Sequence, residues 1–179
     1  VYPFSDYAKE SEAEKSNGED ETYWIDIYSQ YTPEYELPVD LPRPAFRTFN
    51  SKRIDFDVNK TVIDNTKQLA TKLKCSLTSL MMAAFSVCLN RWSGDDSLVI
   101  GIPSAAQPSF SPEGLVGHCV NLLPIPVQVN TKDSFEALVN QLSDNVVNAY
   151  EHQNYTFGSL LKKLQIKPDP SRIPLVPLL

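Results

Sequence analysis

Prolines limit where this chain can form helices and central strands. Residues 37–46 hold three of the 14 prolines. Each removes a backbone donor and pushes the residue before it into an extended conformation, so we predict a connector without helix. The apolar stretch 116–129 contains Pro124 and Pro126, which a central strand would not tolerate, and is predicted to be an edge strand or a crossing segment. Four more prolines exclude regular helix towards the end: Pro168, Pro170, Pro174 and Pro177.

The first third of the chain changes from charged to aromatic. Residues 8–22 are nearly free of apolar side chains, which predicts a solvated loop or a frayed helix. Residues 23–35 predict a short amphipathic helix docked on a core, in preference to an aromatic ligand cage. Residues 53–58 then alternate between apolar and polar positions, with the period of a half-buried strand. The aromatic and apolar residues at helical spacing are Trp24, Ile27, Tyr28 and Tyr31.

A pair of helices is predicted next. Residues 61–73 carry an apolar stripe at helical spacing and predict an amphipathic helix. Ser76 can cap a second helix that runs to Trp92. Because residues 80–89 are apolar on nearly every side, we expect this second helix to be buried centrally. Gly94 ends it.

The middle of the chain combines a buried strand with a long loop. Residues 98–102 form a short continuous apolar run, which is typical of a strand buried on both faces. Residues 103–114 are predicted to be a loop, and a dozen residues without regular structure inside a compact domain usually have a function. This loop is therefore the first functional candidate.

Two helices follow this loop and the apolar stretch. Asp133 and Glu136 form a capping box, which predicts the start of a long surface helix that ends near His152. Thr156 is predicted to cap a shorter helix through Leu164. The order of strands and helices along the chain predicts an α/β layered structure in which helices cover a sheet.

Composition excludes several classes of protein. Hydrophobic residues make up 42% of the chain, charged residues make up 21%, and no apolar run approaches the roughly 20 residues that span a bilayer, which predicts a soluble protein without a membrane partner. The net charge of -6, without a basic cluster, argues against nucleic acid as a partner. Cys75, Cys88 and Cys119 are widely spaced in apolar runs and are predicted to be buried free thiols in a reducing, cytoplasmic compartment. The chain begins without a methionine or a targeting leader, so we interpret it as a piece of a longer protein.

The sequence contains few patterns of catalytic or ligand-binding chemistry. It has no Gly-x-Ser-x-Gly elbow and no glycine-rich phosphate loop, and its residue spacing predicts no metal site. Of the two histidines, His152 is expected to cap or pack at a helix end. His118 adjoins the long loop and stays a candidate for a substrate-facing role. Residue chemistry alone therefore indicates a soluble α/β domain with a functional loop.

Short segments in a fixed order resemble the motifs of the condensation domains of non-ribosomal peptide synthetases. No single one is specific, but together they are collinear along essentially the whole chain. The segments, with the family patterns that they resemble, are 2–8 (Tyr-x-Asp-Tyr-Ala), 23–24 (Tyr-Trp), 37–44 (Leu-Pro-x-Asp-x-Pro-Arg-Pro), 91–103 (Arg-Tyr-Ser-Gly-x-Asp-Asp…Val-x-Gly-x-Pro), 117–124 (Gly-x-Phe-Val-Asn-Thr-Leu-Pro), 152–157 (His-Gln-Asp-x-Pro-Phe) and 170–175 (Leu-Ser-Arg-x-Pro-Leu).

This resemblance implies a chloramphenicol-acetyltransferase-like α/β fold of two lobes with a tunnel between them. In the tunnel an upstream thioester meets a downstream amine, both carried on the phosphopantetheine arms of carrier proteins, and an amide bond forms. The family's His-His-x-x-x-Asp-Gly motif precedes every segment matched here, and this sequence has no adjacent histidines. We therefore expect no catalytic residue in this chain, no cofactor bound directly and no activity by itself.

The resemblance also implies how the chain is organised. Residues 1–179 are expected to be the C-terminal lobe of a condensation domain, incomplete as a fragment because its last strands are missing. Residues 1–50 would be a connector and lead-in helix, and residues 51–179 would be the α/β core. A floor loop and a latch near residues 103–129 would close the tunnel. The substrate-tunnel candidates are Ser104, Gln107, His118 and Asn121.

The expected partners are the N-terminal lobe of the same domain, donor and acceptor carrier proteins, and an adjacent adenylation domain. Because the surface around residues 116–126 would face the other lobe, we expect this chain to self-associate or to require its other half.

Departures from the family pattern leave the subtype open. Ala106-Gln107 replaces Gly-Arg, His118-Cys119 replaces an aromatic pair, and residues 156–158 replace Pro-Phe-Glu, so a donor with a fatty-acyl or polyketide chain is also compatible. The alternatives are the C-terminal half of an epimerisation or heterocyclisation domain, and a non-catalytic module that docks a carrier protein.

Overall fold

The fold is that of a computed structural model, in which residues 2–14, 18–29, 37–105 and 115–176 are described. Helices dominate it, and the described residues contain a single two-stranded sheet. In chain order the elements are α1 (Phe4–Glu14), α2 (Gly18–Tyr28), α3 (Lys60–Lys72), α4 (Leu77–Ser93), β1 (Ser97–Ser104), β2 (Asn121–Gln128), α5 (Phe135–Glu151) and α6 (Phe157–Lys163).

Strands β1 and β2 pair antiparallel along their whole length. Ser97 lies opposite Gln128 at one end of the pair, and Ser104 lies opposite Asn121 at the other. Strand β1 is buried over most of its length, which confirms the prediction for residues 98–102. In the described sheet β2 pairs with a strand on one side only. The backbone amides on its other side therefore need not donate hydrogen bonds to a neighbouring strand. Its two prolines therefore fit, which confirms the prediction of an edge strand.

Helix ends follow local sequence signals at three predicted positions. Ser76 Oγ accepts a 2.9 Å hydrogen bond from the Ser79 amide at the start of α4. Gly94 ends that helix with a φ of 82°, a left-handed conformation that glycine adopts without a steric penalty. Thr156 caps α6 by accepting from the Ser159 amide. These three predictions are confirmed.

The start of α5 differs from its prediction by one residue. Ser134, rather than Asp133, caps the helix, and its Oγ accepts a 3.1 Å hydrogen bond from the Ala137 amide. The backbone is extended at Ser134, and the first helical residue is Phe135. Both residues have side chains that can cap a helix, so spacing alone did not distinguish them.

The core lies between the sheet and the helices packed on it. Helix α5 contacts β2 and α4, and α6 contacts β2 and α2. Trp24 and Tyr28 of α2 are buried in the same core, which confirms the docking helix predicted for residues 23–35 as far as Tyr28. The helix begins five residues earlier than predicted, at Gly18, and Tyr31 lies outside the described residues. The charged run before Trp24 is more ordered than predicted, because its acidic residues 19–21 form the first turn of α2, where a negative charge is favoured.

Two apolar segments are exposed where burial was predicted. Residues 53–58 form no strand, and Ile54 and Phe56 are 83% and 81% exposed. An alternating segment becomes a strand only with a neighbour to pair with, and the described part of the chain offers none.

Helix α4 buries one face through Leu80, Ala83 and Leu89, so the prediction of burial on every side is wrong. Its other face carries an exposed apolar stripe, which we call the α4 stripe: Leu77, Met81, Phe85, Cys88 and Trp92.

The three thiols are free and differ in exposure. Cys119 is buried and Cys75 half-buried, but Cys88 is exposed on α4, so burial was wrongly predicted there.

Within the described ranges, no single helix is long and apolar enough to cross a membrane. The pair α3 and α4 reaches that length and composition only together, with a bend of 107° at the junction.

Candidate functional site

The pairing of β1 with β2 brings together two of the four candidate residues. Ser104 is the last residue of β1, Asn121 is the first of β2, and the two are register partners. The chain between them lies within residues 103–129, where the floor loop and the latch are predicted. Both residues are buried, at 3% and 8% exposure. A third candidate, Gln107, lies outside the described residues.

Asn121 connects the strand end to the turn between α5 and α6, residues 152–156, which we call the α5–α6 corner. Its Nδ2 donates to the carbonyl oxygens of Gln153 and Tyr155, at 2.8 and 3.0 Å. Its Oδ1 accepts from the amides of Leu122 and Phe157, at 2.9 and 3.0 Å. Since buried amides require such partners, this side chain fixes the strand end against the corner.

Ser104 is bound to the same corner. Its Oγ donates a 2.5 Å hydrogen bond to Gln153 Oε1. Gln153 therefore contacts one strand end through its side chain and the other through its carbonyl oxygen. Sequence reasoning did not select Gln153 as a site residue, although it lies in a segment that resembles a family motif.

His118, the fourth candidate, is exposed, and among the described residues no hydrogen bond joins it to the corner. It follows Gly117, which lies directly under the ring of Phe4 in α1, so closely that a Cβ at position 117 would overlap the ring. Val116 and Val120 on either side are exposed as predicted. The exposure predicted for the later part of this stretch is wrong, because residues 123–125 pack into the core as part of β2.

His152 ends α5 and contacts α2. Its Nδ1 lies 2.7 Å from Asp20 Oδ1, and its ring stacks on Tyr23 with centroids 4.2 Å apart. Its carbonyl oxygen accepts a 2.9 Å hydrogen bond from Trp24 Nε1. The prediction that this histidine packs at a helix end is confirmed.

Helix α2, which contacts His152 at the end of α5, also makes a polar contact with α6. Lys163 Nζ lies 2.7 Å from Glu21 Oε1. The hydrogen bond from Lys163 holds the pKa of Glu21 below its usual value, and a hydrogen bond from Tyr155 acts in the same direction. Burial, followed by the charge of Glu21, raises the pKa of Tyr155 to about 12. Tyr155 is therefore a neutral donor at physiological pH.

The opposite end of the sheet borders a groove of about 280 Å³. It lies between α4 and the start of α5, and Arg91, Asn130, Asp133 and Gln141 are among the residues that line it. None of the three candidate residues that the structure describes, Ser104, His118 and Asn121, is among the residues that line it. Among the described residues, no group of three or more histidine, cysteine or carboxylate side chains is arranged to hold a metal ion.

Comparison with known proteins identifies the family. The sequence matches the Condensation domain family over residues 1–178. The chain belongs to the condensation-domain family. Gramicidin S synthase 2 of Brevibacillus brevis is 34% identical over 155 residues, which are 87% of this chain and 4% of that protein. Surfactin synthase subunit 1 of Bacillus subtilis is 30% identical over 174 residues, 96% of this chain and 5% of that protein. The chain thus spans about one twentieth of the length of these relatives.

Solved structures show the same fold. A four-domain non-ribosomal peptide synthetase, holo-AB3403, matches with a TM-score of 0.83 and 24% identity, over 88% of this condensation-domain chain and 12% of that chain. The X-domain from teicoplanin biosynthesis matches with a TM-score of 0.87 and 20% identity, over 97% and 40%. The condensation domain from the Monacolin K polyketide synthase MokA matches with a TM-score of 0.71 and 18% identity, over 96% and 43%. The helices and the small antiparallel sheet form part of a chloramphenicol-acetyltransferase-like α/β lobe.

Proposed function

We propose that this chain is the C-terminal lobe of a condensation domain and closes the tunnel in which an amide bond forms. The observation that carries the proposal is the family match over residues 1–178 in a sequence without adjacent histidines. In the proposed reaction the amine of a carrier-bound aminoacyl acceptor attacks the thioester carbonyl of a carrier-bound acyl or peptidyl donor. The C–N bond forms, the C–S bond breaks, the donor carrier's phosphopantetheine leaves as a thiol, and the amine loses a proton.

The proton acceptor in this proposal comes from the N-terminal lobe, not from this chain. His152 is held by Asp20 and stacked on Tyr23, so its ring is part of the packing between α2 and α5. His118 is exposed, and within the described residues no ion pair to it is found. This chain would contribute binding surface and positioning, since a general base must lie within hydrogen-bond reach of the proton that it removes.

The region near residues 103–129 is proposed to supply the floor loop and the latch. Ser104 and Asn121 anchor its strand ends, and Val116 and Val120 expose apolar side chains beyond them. Such side chains fit a surface that the N-terminal lobe covers. Residues 1–50 are proposed to be the connector and lead-in helix of the lobe, and residues 51–179 its core.

The partners proposed for the whole protein follow from its relatives, which are synthases of gramicidin S and surfactin. Donor and acceptor carrier proteins would deliver substrates on phosphopantetheine arms, and an adenylation domain would lie next to the lobe in a cytoplasmic assembly. The product would be a non-ribosomal peptide or a hybrid with a polyketide.

A non-catalytic docking module is the second candidate function. The exposed α4 stripe favours it, because a contiguous exposed apolar face commonly marks a protein interaction site. Among solved structures with this fold, one is a complex of the X-domain and OxyB from teicoplanin biosynthesis. In this alternative the chain would bind a carrier protein without taking part in amide formation.

Intact-mass measurement of loaded carrier proteins distinguishes these candidates. Donor and acceptor carriers loaded as thioesters are incubated with this chain alone, with an N-terminal lobe that carries the histidine motif, and with both. We expect condensed product only with both lobes, and none when the second histidine of the motif is replaced by alanine. Product from this chain alone would overturn the proposal, and His118→Ala would then test that histidine as a catalyst. Carrier binding without product under any condition would favour the docking module.

A further inference from the structure

The two ends of the β1–β2 pair are fixed by similar contacts. At one end Ser97 Oγ donates a 2.5 Å hydrogen bond to Gln128 Oε1, and Gln141 of α5 binds the Gln128 backbone through both its amide atoms, at 2.9 and 3.3 Å. At the other end Ser104 donates to Gln153, which also accepts from Asn121. Each end therefore has a serine that binds a glutamine and a glutamine beyond β2 that contacts the sheet. Among the described hydrogen bonds, those of Gln141 reach β2 alone, whereas Gln153 contacts both strands.

The chain beyond each end differs. Beyond Gln128 the backbone continues directly into the turn before α5, and the Val129 amide donates to the Asp96 carbonyl oxygen at 2.7 Å. Beyond Ser104 the chain runs through residues 105–120 before it returns at Asn121. Its last six residues, 115–120, are described and include the candidate His118. Here Gln153 contacts both strand ends, and Asn121 makes further contacts with Tyr155 and Phe157.

Gln153 is itself held from the other side. The residue before it, His152, pairs with Asp20 and accepts from Trp24, so α2 fixes the backbone that presents Gln153. The side chain of Gln153 is half-buried, and the Ser104 hydroxyl that it accepts from is buried. A short hydrogen bond between fixed partners constrains direction as well as distance.

We propose that Gln153 is a positioning residue: by binding Ser104 through its side chain and Asn121 through its carbonyl oxygen, it sets the path of residues 115–120 and with it the position of His118. The expected influence of Gln153 on the condensation rate rests on the proposed function. Its expected influence on the order of residues 115–120 does not, because it concerns this chain alone.

Hydrogen–deuterium exchange with three variants tests this role. Gln153→Met removes the acceptor but keeps a similar length, Gln153→Glu keeps an oxygen that accepts from Ser104, and Gln141→Met makes the same change at the opposite end. We expect amide exchange in residues 115–120 to become about tenfold faster in Gln153→Met, the size expected when one hydrogen bond is lost. It should stay within about twofold of the parent in Gln153→Glu and in Gln141→Met.

Two results would overturn the proposal. One is unchanged exchange in residues 115–120 of Gln153→Met. The other is a uniform increase that includes the buried amides of α4 and α5, which would indicate global destabilisation instead. If Gln153→Met does not fold, Ser104→Ala removes the same hydrogen bond from the donor side and is expected to give the same local result.

The reconstituted two-lobe domain provides an activity readout. Gln153→Met is expected to lower kcat/KM for the carrier-bound acceptor about tenfold, and Gln153→Glu to restore it, since misplaced groups slow a bound reaction. A loss that Gln153→Glu fails to restore would contradict positioning by this hydrogen bond. Absence of condensation in the parent domain would count against the proposed function alone and leave the exchange result valid.

Discussion

The indole Nε1 of Trp24 donates a 2.9 Å hydrogen bond to the carbonyl oxygen of His152, a residue 128 positions later in the chain. Trp24 is 1% exposed and lies in the core cluster with Tyr28. This contact joins α2, which precedes the proline-rich connector, to the end of α5. It explains how an N-terminal helix becomes part of the same packed unit as the sheet.

Trp24→Phe tests this contact. The change removes the donor and part of a buried ring, so we expect the free energy of unfolding to fall by about 2–3 kcal/mol. Urea denaturation followed by circular dichroism measures it. Trp92→Phe is the matched control, because Trp92 is 65% exposed and its loss should cost less than about 0.5 kcal/mol. Equal effects of the two changes would contradict the placement of Trp24 in the core.

Asn121→Ala is expected to destabilise the chain by about 3 kcal/mol, because it leaves three buried or partly buried backbone groups, of Gln153, Tyr155 and Phe157, without this partner. Asn145→Ala is the control, since Asn145 donates one hydrogen bond, to the Pro126 carbonyl oxygen, and should cost about 1 kcal/mol. Thermal unfolding by calorimetry measures both. A loss for Asn121→Ala no larger than that of the control would contradict the anchoring role.

The pair of Glu21 and Lys163 predicts a pH dependence. Because the pKa of Glu21 is lowered in the folded chain, its contribution to stability is present above about pH 4.3 and is lost as the pH falls through the lowered pKa. Lys163→Met should flatten the acid side of the stability curve and change little at pH 7, since the pair is largely exposed. Urea midpoints measured at stepped pH test this. Lys162→Met, at the exposed neighbour, should leave the curve unchanged, and an equal flattening by both would contradict the assignment.

Thiol reactivity should distinguish the cysteines. Cys88 is exposed and Cys119 buried, so Cys88 is expected to react first with a thiol reagent in the folded chain. Cys88→Ser should remove the fast phase, and Cys119→Ser should leave it intact. Absorbance after addition of an aromatic disulfide gives the rates. A fast phase that persists in Cys88→Ser would contradict the exposure of this face of α4.

The α4 stripe predicts association of the isolated chain. An exposed apolar stripe on a helix favours contact with another apolar surface. Phe85→Glu should weaken self-association at least about tenfold, the effect of about 1.4 kcal/mol. Val147→Glu is the control, because Val147 on α5 is 54% exposed and Phe85 is 45% exposed. Size-exclusion chromatography with light scattering measures the association, and a parent chain that stays monomeric at high concentration would contradict the prediction.

Local signals in the sequence were sufficient for most helices. Ser76, Gly94 and Thr156 act through atoms a few residues away, so spacing alone predicts where α4 begins and ends and where α6 begins. The same reasoning failed where a distant neighbour decides the outcome. Residues 53–58 have the pattern of a strand, but a strand requires a partner, and the described elements provide none.

In the candidate site, too, local sequence signals identified some residues, and contacts between distant segments identified the others. The resemblance to condensation domains selected Ser104 and Asn121 as candidates, but nothing local connects either of them to Gln153, which lies 49 and 32 positions away. The sequence predicted that His152 packs at a helix end, but only the structure shows that its contacts are Asp20, Tyr23 and Trp24 of α2.

Local features of the sequence were enough to identify the family, the two ends of α4, the start of α6 and the edge strand, because motifs, caps and prolines act over a few residues. Only the tertiary contacts show which apolar faces are covered, which side-chain amides anchor the strand ends and which residues contact His152. These outcomes depend on contacts between segments far apart in the chain, and the pattern of a segment does not specify which distant surface it will meet.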